Sequence, residues 1–399
     1  MNPPRTLSVD HWMARPGVPA LLSTLDAEDG ATRLVGGAVR DWLLGLDVAD
    51  VDFATRLAPE EVLERLEKAR IKAIPTGIRH GTITAVTHGA PYEITTLRHD
   101  VETFGRHANV AFTNDWRADA ARRDFTINAL YADPLTGELY DWFGGHEDLA
   151  TRTVRFIGEP LQRIAEDHLR ILRFFRFSAR FGTGLEPEGF AACVARAADL
   201  MALSRERIRE ELRRLLALPA PVATVRAMVE YGILRPVLPE ITLEGVDRMA
   251  ATIAAEAAAG ARGDALRRLA ALVPGESADA IAVRLKLSNA DRARLVAATG
   301  PGERPDDMRV LAYRIGAPAA FDRMLISGDS RAGQWRGPFA NWQRPRMPLT
   351  GKDIIAMGVP PGPEVSKLLA EIENCWLAAG LPADRERTAA LARKVLGRR

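Results

Sequence analysis

The chain has 399 residues, enough for roughly two to four domains, and its 47% hydrophobic content is ample for buried cores. Fifty-four basic residues against 52 acidic ones leave a net charge of +2, so any nucleic-acid surface must come from local clustering and not from overall charge. Cys193 and Cys375 lie far apart with no C-x-x-C or Cys/His cluster, which argues against a disulfide scaffold or a zinc site, and the absence of an apolar signal core or of roughly 18 uninterrupted apolar residues predicts a cytoplasmic chain with no membrane partner.

In chain order, candidate strands fall at residues 33–36, 50–54, 82–87, 92–97 and 126–132, the last leading through Asp133-Pro134-Leu135-Thr136-Gly137 into a hairpin partner at 138–142. Residues 59–70 have apolar positions at helical spacing after a Pro-Glu-Glu start. After Gly158 strand signals almost vanish, and 160–181, 204–218, 220–233 and 261–273 read as Ala- and Arg-rich amphipathic helices. The expected class is α+β, a mixed sheet with helices followed by an all-α remainder. The loss of strand signals after Gly158 separates 1–157 from the helical remainder, which Pro/Gly breaks near 234–239, 300–305 and 336–348 divide further, giving 158–235, 236–300 and 301–399.

Three constellations carry chemistry. Residues 34–45, L-V-G-G-A-V-R-D-W-L-L-G, are followed at once by Asp50-Val51-Asp52. In an extended strand Asp50 and Asp52 project to one face and can share divalent metal ions, while Gly36 and Gly37 let backbone N–H groups approach a phosphate at the start of a helix. This order suggests phosphoryl or nucleotidyl transfer. In Arg122-Arg123-Asp124-Phe125-Thr126-Ile127-Asn128-Ala129, adjacent arginines can neutralise phosphate oxygens and Asp124 can accept from ribose hydroxyls; a surface salt-bridge cluster is the competing reading. Within the helix expected over 160–181, Asp167 and Arg170 share a face at i and i+3, and Arg173 and Arg176 continue the row. A carboxylate beside a guanidinium can accept from the exocyclic amine of cytosine or adenine and repel the carbonyl of guanine or uracil. A surface ion pair is the alternative.

Taken in this order, G-G-A-V-R-D with D-V-D, R-R-D-F-T-I-N-A and E-D-H-L-R-I-L-R closely resemble the class II tRNA nucleotidyltransferases, the bacterial CCA-adding enzymes and their poly(A) polymerase relatives. The resemblance covers residues 30–215 and, more loosely, P-L-T-G-K-D at 348–353. It implies a polymerase β-like nucleotidyltransferase head (1–157), a neck for nucleotide recognition and RNA binding (158–235), a body (236–300) and a tRNA-binding tail (301–399). It further implies that Gly37 and Arg40 contact the triphosphate, that Asp50 and Asp52 are catalytic and hold Mg²⁺, and that Arg123 and Asp124 grip phosphate and ribose. Asp167 and Arg170 would read the base with Arg173 and Arg176 alongside. The implied reaction adds C, C and A to the tRNA 3′ end from CTP and ATP, releasing pyrophosphate, and leaves the oligomeric state open.

The stretch Pro75-Thr76-Gly77-Ile78-Arg79-His80-Gly81-Thr82 is similar to that of CCA-adding enzymes, whereas the G-R-R/K-F type segment of poly(A) polymerases is absent. The alternatives are a poly(A) polymerase and a non-catalytic RNA-binding protein on the same scaffold. Residues 98–118 look like the family's flexible loop, with Phe104 where Asp is expected. Glu93 is a candidate third carboxylate or an ordinary strand-surface residue, His99-Asp100 lacks the partners of a phosphohydrolase site, and Gly362–Lys367 breaks the P-loop pattern.

Overall fold

A computed structural model describes residues 5–48, 50–104, 107–300 and 307–397, with the side chains of Arg79 and residues 100–110 also outside the description. The chain forms two compact units, Met1–Leu212 with Tyr231–Val237, and Arg213–Glu230 with Leu238–Arg399.

The first unit carries a seven-stranded mixed sheet in the order β3-β4-β5-β2-β1-β8-β9. Its strands are β1 (Thr32–Val35), β2 (Asp52–Thr55), β3 (Lys72–Gly77), β4 (Thr82–Thr87), β5 (Ala90–Thr96), β8 (Tyr131–Ala132) and β9 (Leu139–Tyr140). A separate antiparallel hairpin joins β6 (Arg98–Phe104) to β7 (His107–Phe112). Among the described residues only β2 and β5 pair in parallel; the other ladders of this sheet are antiparallel. One core cluster of this unit joins Val35, Ala54, Leu97, Trp116, Ala120, Ala129, Tyr131 and Ile157. The rings of Phe125, Phe156, Phe174 and Phe177 pack together at the root of the helix Leu169–Phe181.

The α+β class, the helix Pro59–Lys68 and the hairpin of β8 and β9 agree with the sequence reading. Four details differ. Lys72–Gly77 is an edge strand although it contains Pro75, and an edge is where a residue without an N–H is tolerated. The strand expected over 126–132 is reduced to Tyr131–Ala132, because Thr126–Asn128 forms a 3₁₀ turn as the Asn128 amide bonds back to Asp124. The segment expected as a loop over 98–118 contains the β6–β7 hairpin and the helix Trp116–Ala121; the side chains of Asp100 and Phe104 lie outside the described residues.

The fourth difference bears on the site. The single helix expected over 160–181 is two, Pro160–Glu166 and Leu169–Phe181, separated at Asp167 and His168. Asp167 is extended (φ −149°, ψ 104°), and its carboxylate accepts the N–H of Leu169 at 3.1 Å. Asp competes with helical backbone hydrogen bonding and favours such a cap.

The second unit is helical throughout its described residues, from Val222–Glu230 to Arg385–Leu396. It holds separate apolar clusters around Met308, Ala320 and Phe339, around Ile354, Leu368 and Ile372, and around Trp376. No helix among the described residues is long and apolar enough to cross a membrane.

Candidate active site

The site is built where β1 ends and β2 begins. Antiparallel pairing of Leu34 with Phe53 sets the end of β1, and the glycine turn after it, beside Asp52. Gly36 adopts φ +69°, a left-handed conformation favoured by glycine, and the helix Gly37–Leu43 starts at the next residue. Along the neighbouring strand Val51 and Phe53 are buried while Asp50 is exposed and Asp52 half-buried, so the two aspartates share the open face although regular β2 begins only at Asp52. Glu93 stands directly opposite Asp52 in the parallel ladder of β2 with β5 and is exposed on that same face.

Burial, then the negative charges of Glu93 and Asp50, push the Asp52 carboxyl up to about 6, with Arg123 pulling the other way. Three crowded carboxylates facing one guanidinium suit a hard divalent cation with oxygen ligands. Among the described residues no group of three or more Asp, Glu, His or Cys side chains is arranged to hold a metal unaided. Asp50 and Asp52 therefore fit a site of the kind magnesium uses, in which one or two carboxylates are completed by substrate phosphate oxygens and water.

The arginines around this turn are held in depth. Arg123 donates Nε to the Tyr131 hydroxyl at 3.1 Å and Nη2 to Asp119 at 3.2 Å. Its Nη1 lies 3.3 Å from where a side chain on Gly36 would begin. Burial alone would lower the guanidinium, but Tyr131 and Asp119 raise it above its ordinary value. Arg40 is buried on the short helix, with its guanidinium over Phe181 at 4.3 Å, Nε on Asp41 at 2.7 Å and Nη1 on Asn128. Its Nη2 lies 3.6 Å from where a Gly37 side chain would begin, so both glycines leave room beside a cation.

Asp124 is also buried, and both oxygens are occupied: Oδ1 accepts from the Asn128 amide at 2.9 Å and Oδ2 from Arg173 Nε at 2.7 Å. Burial pushes this carboxyl up, but Arg173 and the hydrogen bonds outweigh it and hold it below the usual range. Arg40, Asn128, Asp124 and Arg173 thus form one continuous polar chain beneath the glycine turn.

At the other end the structure rearranges the expected pairing. The Asp167 carboxylate accepts from Arg207 Nη2 at 3.1 and 2.8 Å, Arg207 coming from the helix Arg205–Leu216. Arg170 donates instead to Glu166 at 2.6 Å and to the carbonyls of Arg163 and Arg122, each at 2.9 Å. The break in the helix removes Asp167 from the face that Arg170 occupies. Arg176 is buried against Glu211 at 2.5 Å and Arg173 lies 3.8 Å from the same carboxylate. Sequence reasoning missed Asp119, Asn128, Arg207 and Glu211. Asn128 sits inside a motif already singled out, and Asp119 stands at helical spacing before Arg122 and Arg123, but Arg207 and Glu211 have no signal beyond belonging to a helix whose partners lie tens of residues away.

An aspartate pair beside a glycine turn and deep-set arginines, on a mixed sheet ahead of helices, is the architecture of a nucleotidyltransferase. Residues 32–155 match the family model described as "Poly A polymerase head domain", and residues 184–244 that described as "Probable RNA and SrmB- binding site of polymerase A". The chain is 33% identical over 389 residues to the mouse mitochondrial CCA tRNA nucleotidyltransferase 1, covering 93% of this chain and 88% of that protein. It is 30% identical over 390 residues to the CCA-adding enzyme of Levilactobacillus brevis, covering 94% and 95% respectively. The fold superposes on the crystal structure of the Bacillus stearothermophilus CCA-adding enzyme in complex with CTP, with a TM-score of 0.76 and 28% identity over 96% of this chain and 99% of that one. The chain belongs to the CCA tRNA nucleotidyltransferase family. Enzymes of this family normally use a divalent metal ion.

Proposed function

We propose that the chain adds C, C and A in turn to the 3′ end of tRNA, taking CTP and ATP as substrates, releasing pyrophosphate and working in the cytoplasm. The observation that carries this reading is Asp52, paired with Glu93, beside the Gly36 turn and facing Arg123.

Asp50 and Asp52 are the proposed catalytic ligands for Mg²⁺, which when bound lowers the pKa of an attacking hydroxyl and balances charge on the departing pyrophosphate. The protein's own groups do the rest. Gly37 opens the backbone to the triphosphate, and Arg40 and Arg123 supply fixed positive charge where phosphate charge develops. Asp124, engaged by Arg173 and Asn128, holds Arg173 in place and is the proposed acceptor for a ribose hydroxyl. Asp167 is the proposed acceptor for the exocyclic amine of cytosine or adenine, with Arg170, Arg173 and Arg176 framing the base pocket. Residues 1–157 act as the head and 158–235 as the neck; 236–300 and 301–399 serve as body and tail, the tail contacting tRNA.

The deciding experiment incubates the protein with tRNA lacking its 3′ end and supplies CTP and ATP separately and together. Addition of two C residues from CTP alone, and of one terminal A when ATP is added, is the expected result. Long A tails on mixed RNA with little use of CTP would instead make it a poly(A) polymerase.

A further inference from the structure

Asp119 is 1% exposed and lies on the helix Trp116–Ala121, three and four residues before Arg122 and Arg123. Its two oxygens serve four donors. Oδ1 accepts from Arg122 Nε at 2.8 Å and from the backbone N–H of Arg98 at 3.2 Å. Oδ2 accepts from Arg123 Nη2 at 3.2 Å and from the Tyr131 hydroxyl at 2.5 Å, and that hydroxyl accepts in turn from Arg123 Nε at 3.1 Å. Tyr131 is fully buried, held edge-on by Trp116 and Trp142 with ring centres 5.6 Å away in each case.

With Nε on Tyr131 and Nη2 on Asp119, the Arg123 fork is fixed in plane, and Nη1 is the nitrogen that faces the Gly36 turn. An unanchored arginine would have to be ordered by each incoming nucleotide, with the loss of its rotamer entropy. A buried carboxylate that holds it in advance removes much of that cost. The other oxygen of the same carboxylate grips Arg98, where β6 leaves the main sheet.

We infer that Asp119 is a positioning residue for nucleotide binding: with Tyr131 it orients Arg123 toward the Gly36 turn, and it ties that arginine to the root of the β6–β7 hairpin. The inference rests on the proposed nucleotide site but not on transfer to tRNA.

The test measures CTP affinity of the full chain by titration calorimetry in Mg²⁺, with tRNA affinity measured in parallel. Asp119→Asn keeps the shape, removes the charge and turns a donor toward a donor. It should weaken CTP binding at least tenfold, leave tRNA affinity within twofold, and speed amide exchange at Arg98. CTP affinity within twofold of wild type, or an equal loss for tRNA, overturns the positioning role; unchanged exchange at Arg98 overturns the tie to the hairpin. If Asp119→Asn does not fold, Tyr131→Phe decides: a threefold or greater loss of CTP affinity supports the role, and none overturns it. Wild-type protein that binds CTP without extending tRNA would refute the proposed reaction while leaving this inference standing.

Discussion

Arg207 donates to both oxygens of Asp167 at 3.1 and 2.8 Å, so the carboxylate proposed to read the base is held by a guanidinium 40 residues further along the chain. Arg170, three residues away, is turned to Glu166 and to two backbone carbonyls. The two arginines therefore have separable effects. Asp167→Ala should relax discrimination against G and U by about 10- to 100-fold, the scale of one bidentate base contact. Arg207→Ala should shift selectivity in the same direction by less, with little change in thermal stability, because the pair is a third exposed. Arg170→Ala should lower stability by about 2–3 kcal/mol as well, since it leaves buried partners unpaired. Single-nucleotide incorporation with all four nucleotides, run beside thermal melts, separates the three; unchanged selectivity in Arg207→Ala would remove that residue from base choice.

Gly36→Ala tests the glycine turn. The position has φ +69°, where an L side chain is strained by roughly 1 kcal/mol, and the new methyl would sit 3.3 Å from Arg123 Nη1 and 3.6 Å from the Asn128 carbonyl. Arg123 is pinned at its other two nitrogens and has little room to yield. The variant should show KM for CTP raised at least tenfold with a smaller fall in kcat. Equal KM in variant and wild type would mean that phosphate does not approach through this turn.

The end of the site around the glycine turn was legible in the sequence because its parts are local. Strand alternation places Asp50 with Asp52, and the glycines and Arg123 sit within short motifs that physics reads directly. The end around Asp167, proposed to read the base, was only half legible. Helical spacing over 160–181 pairs Asp167 with Arg170, but Asp167 caps the following helix instead of continuing the first, and its partner comes from a helix that local periodicity cannot connect to it. Asp119 was missed for a related reason: an Asp on a short helix looks solvated until the fold places Tyr131 and Arg98 against it. Lys72–Gly77 was missed because Pro75 argues against a strand everywhere except at an edge, and edge status is a property of the whole sheet.

Asp52 predicts a pH dependence of the metal-free protein. Its carboxyl is raised from 3.8 to about 6 by burial and by Glu93 and Asp50, so between those values the folded state holds a proton that the unfolded state has lost. Stability from this group is full below about pH 4 and is lost as pH rises through 6. In EDTA, Asp52→Asn should be more stable than wild type at pH 7, by about 1–2 kcal/mol after discounting for the solvent that reaches the site, and the difference should shrink toward pH 4. Mg²⁺ should stabilise wild type at pH 7 and not the variant, while nucleotide addition by the variant falls at least a thousandfold. Melting curves at both pH values with and without Mg²⁺ check the sign; a wild type that gains stability from pH 4 to 7 through this residue would contradict it.

The helical unit rests on a buried charge network that makes its own prediction. Glu256, 2% exposed, accepts from Arg267 Nη1 at 2.8 Å through one oxygen, and from Arg268 Nε and Nη2 at 3.0 and 2.8 Å through the other. Asp322, 1% exposed, takes Arg267 Nε at 2.8 Å and Arg294 Nε at 2.7 Å. Such a network gains little over a well-packed apolar core, because desolvation offsets most of the attraction, but removing one member leaves the others charged and buried. Glu256→Ala leaves Arg268 buried without a carboxylate and Arg267 with Asp322 alone, and should cost about 3–5 kcal/mol, read as a drop in the urea midpoint. Replacing Glu256, Arg267, Arg268 and Asp322 together by apolar residues of similar volume should recover most of that loss. CTP affinity, proposed to draw on the Asp52 and Arg123 end of the chain, should stay within twofold in folded Glu256→Ala. A loss below about 1 kcal/mol would mean that water enters the cluster and that its charges are not sealed in as the distances imply.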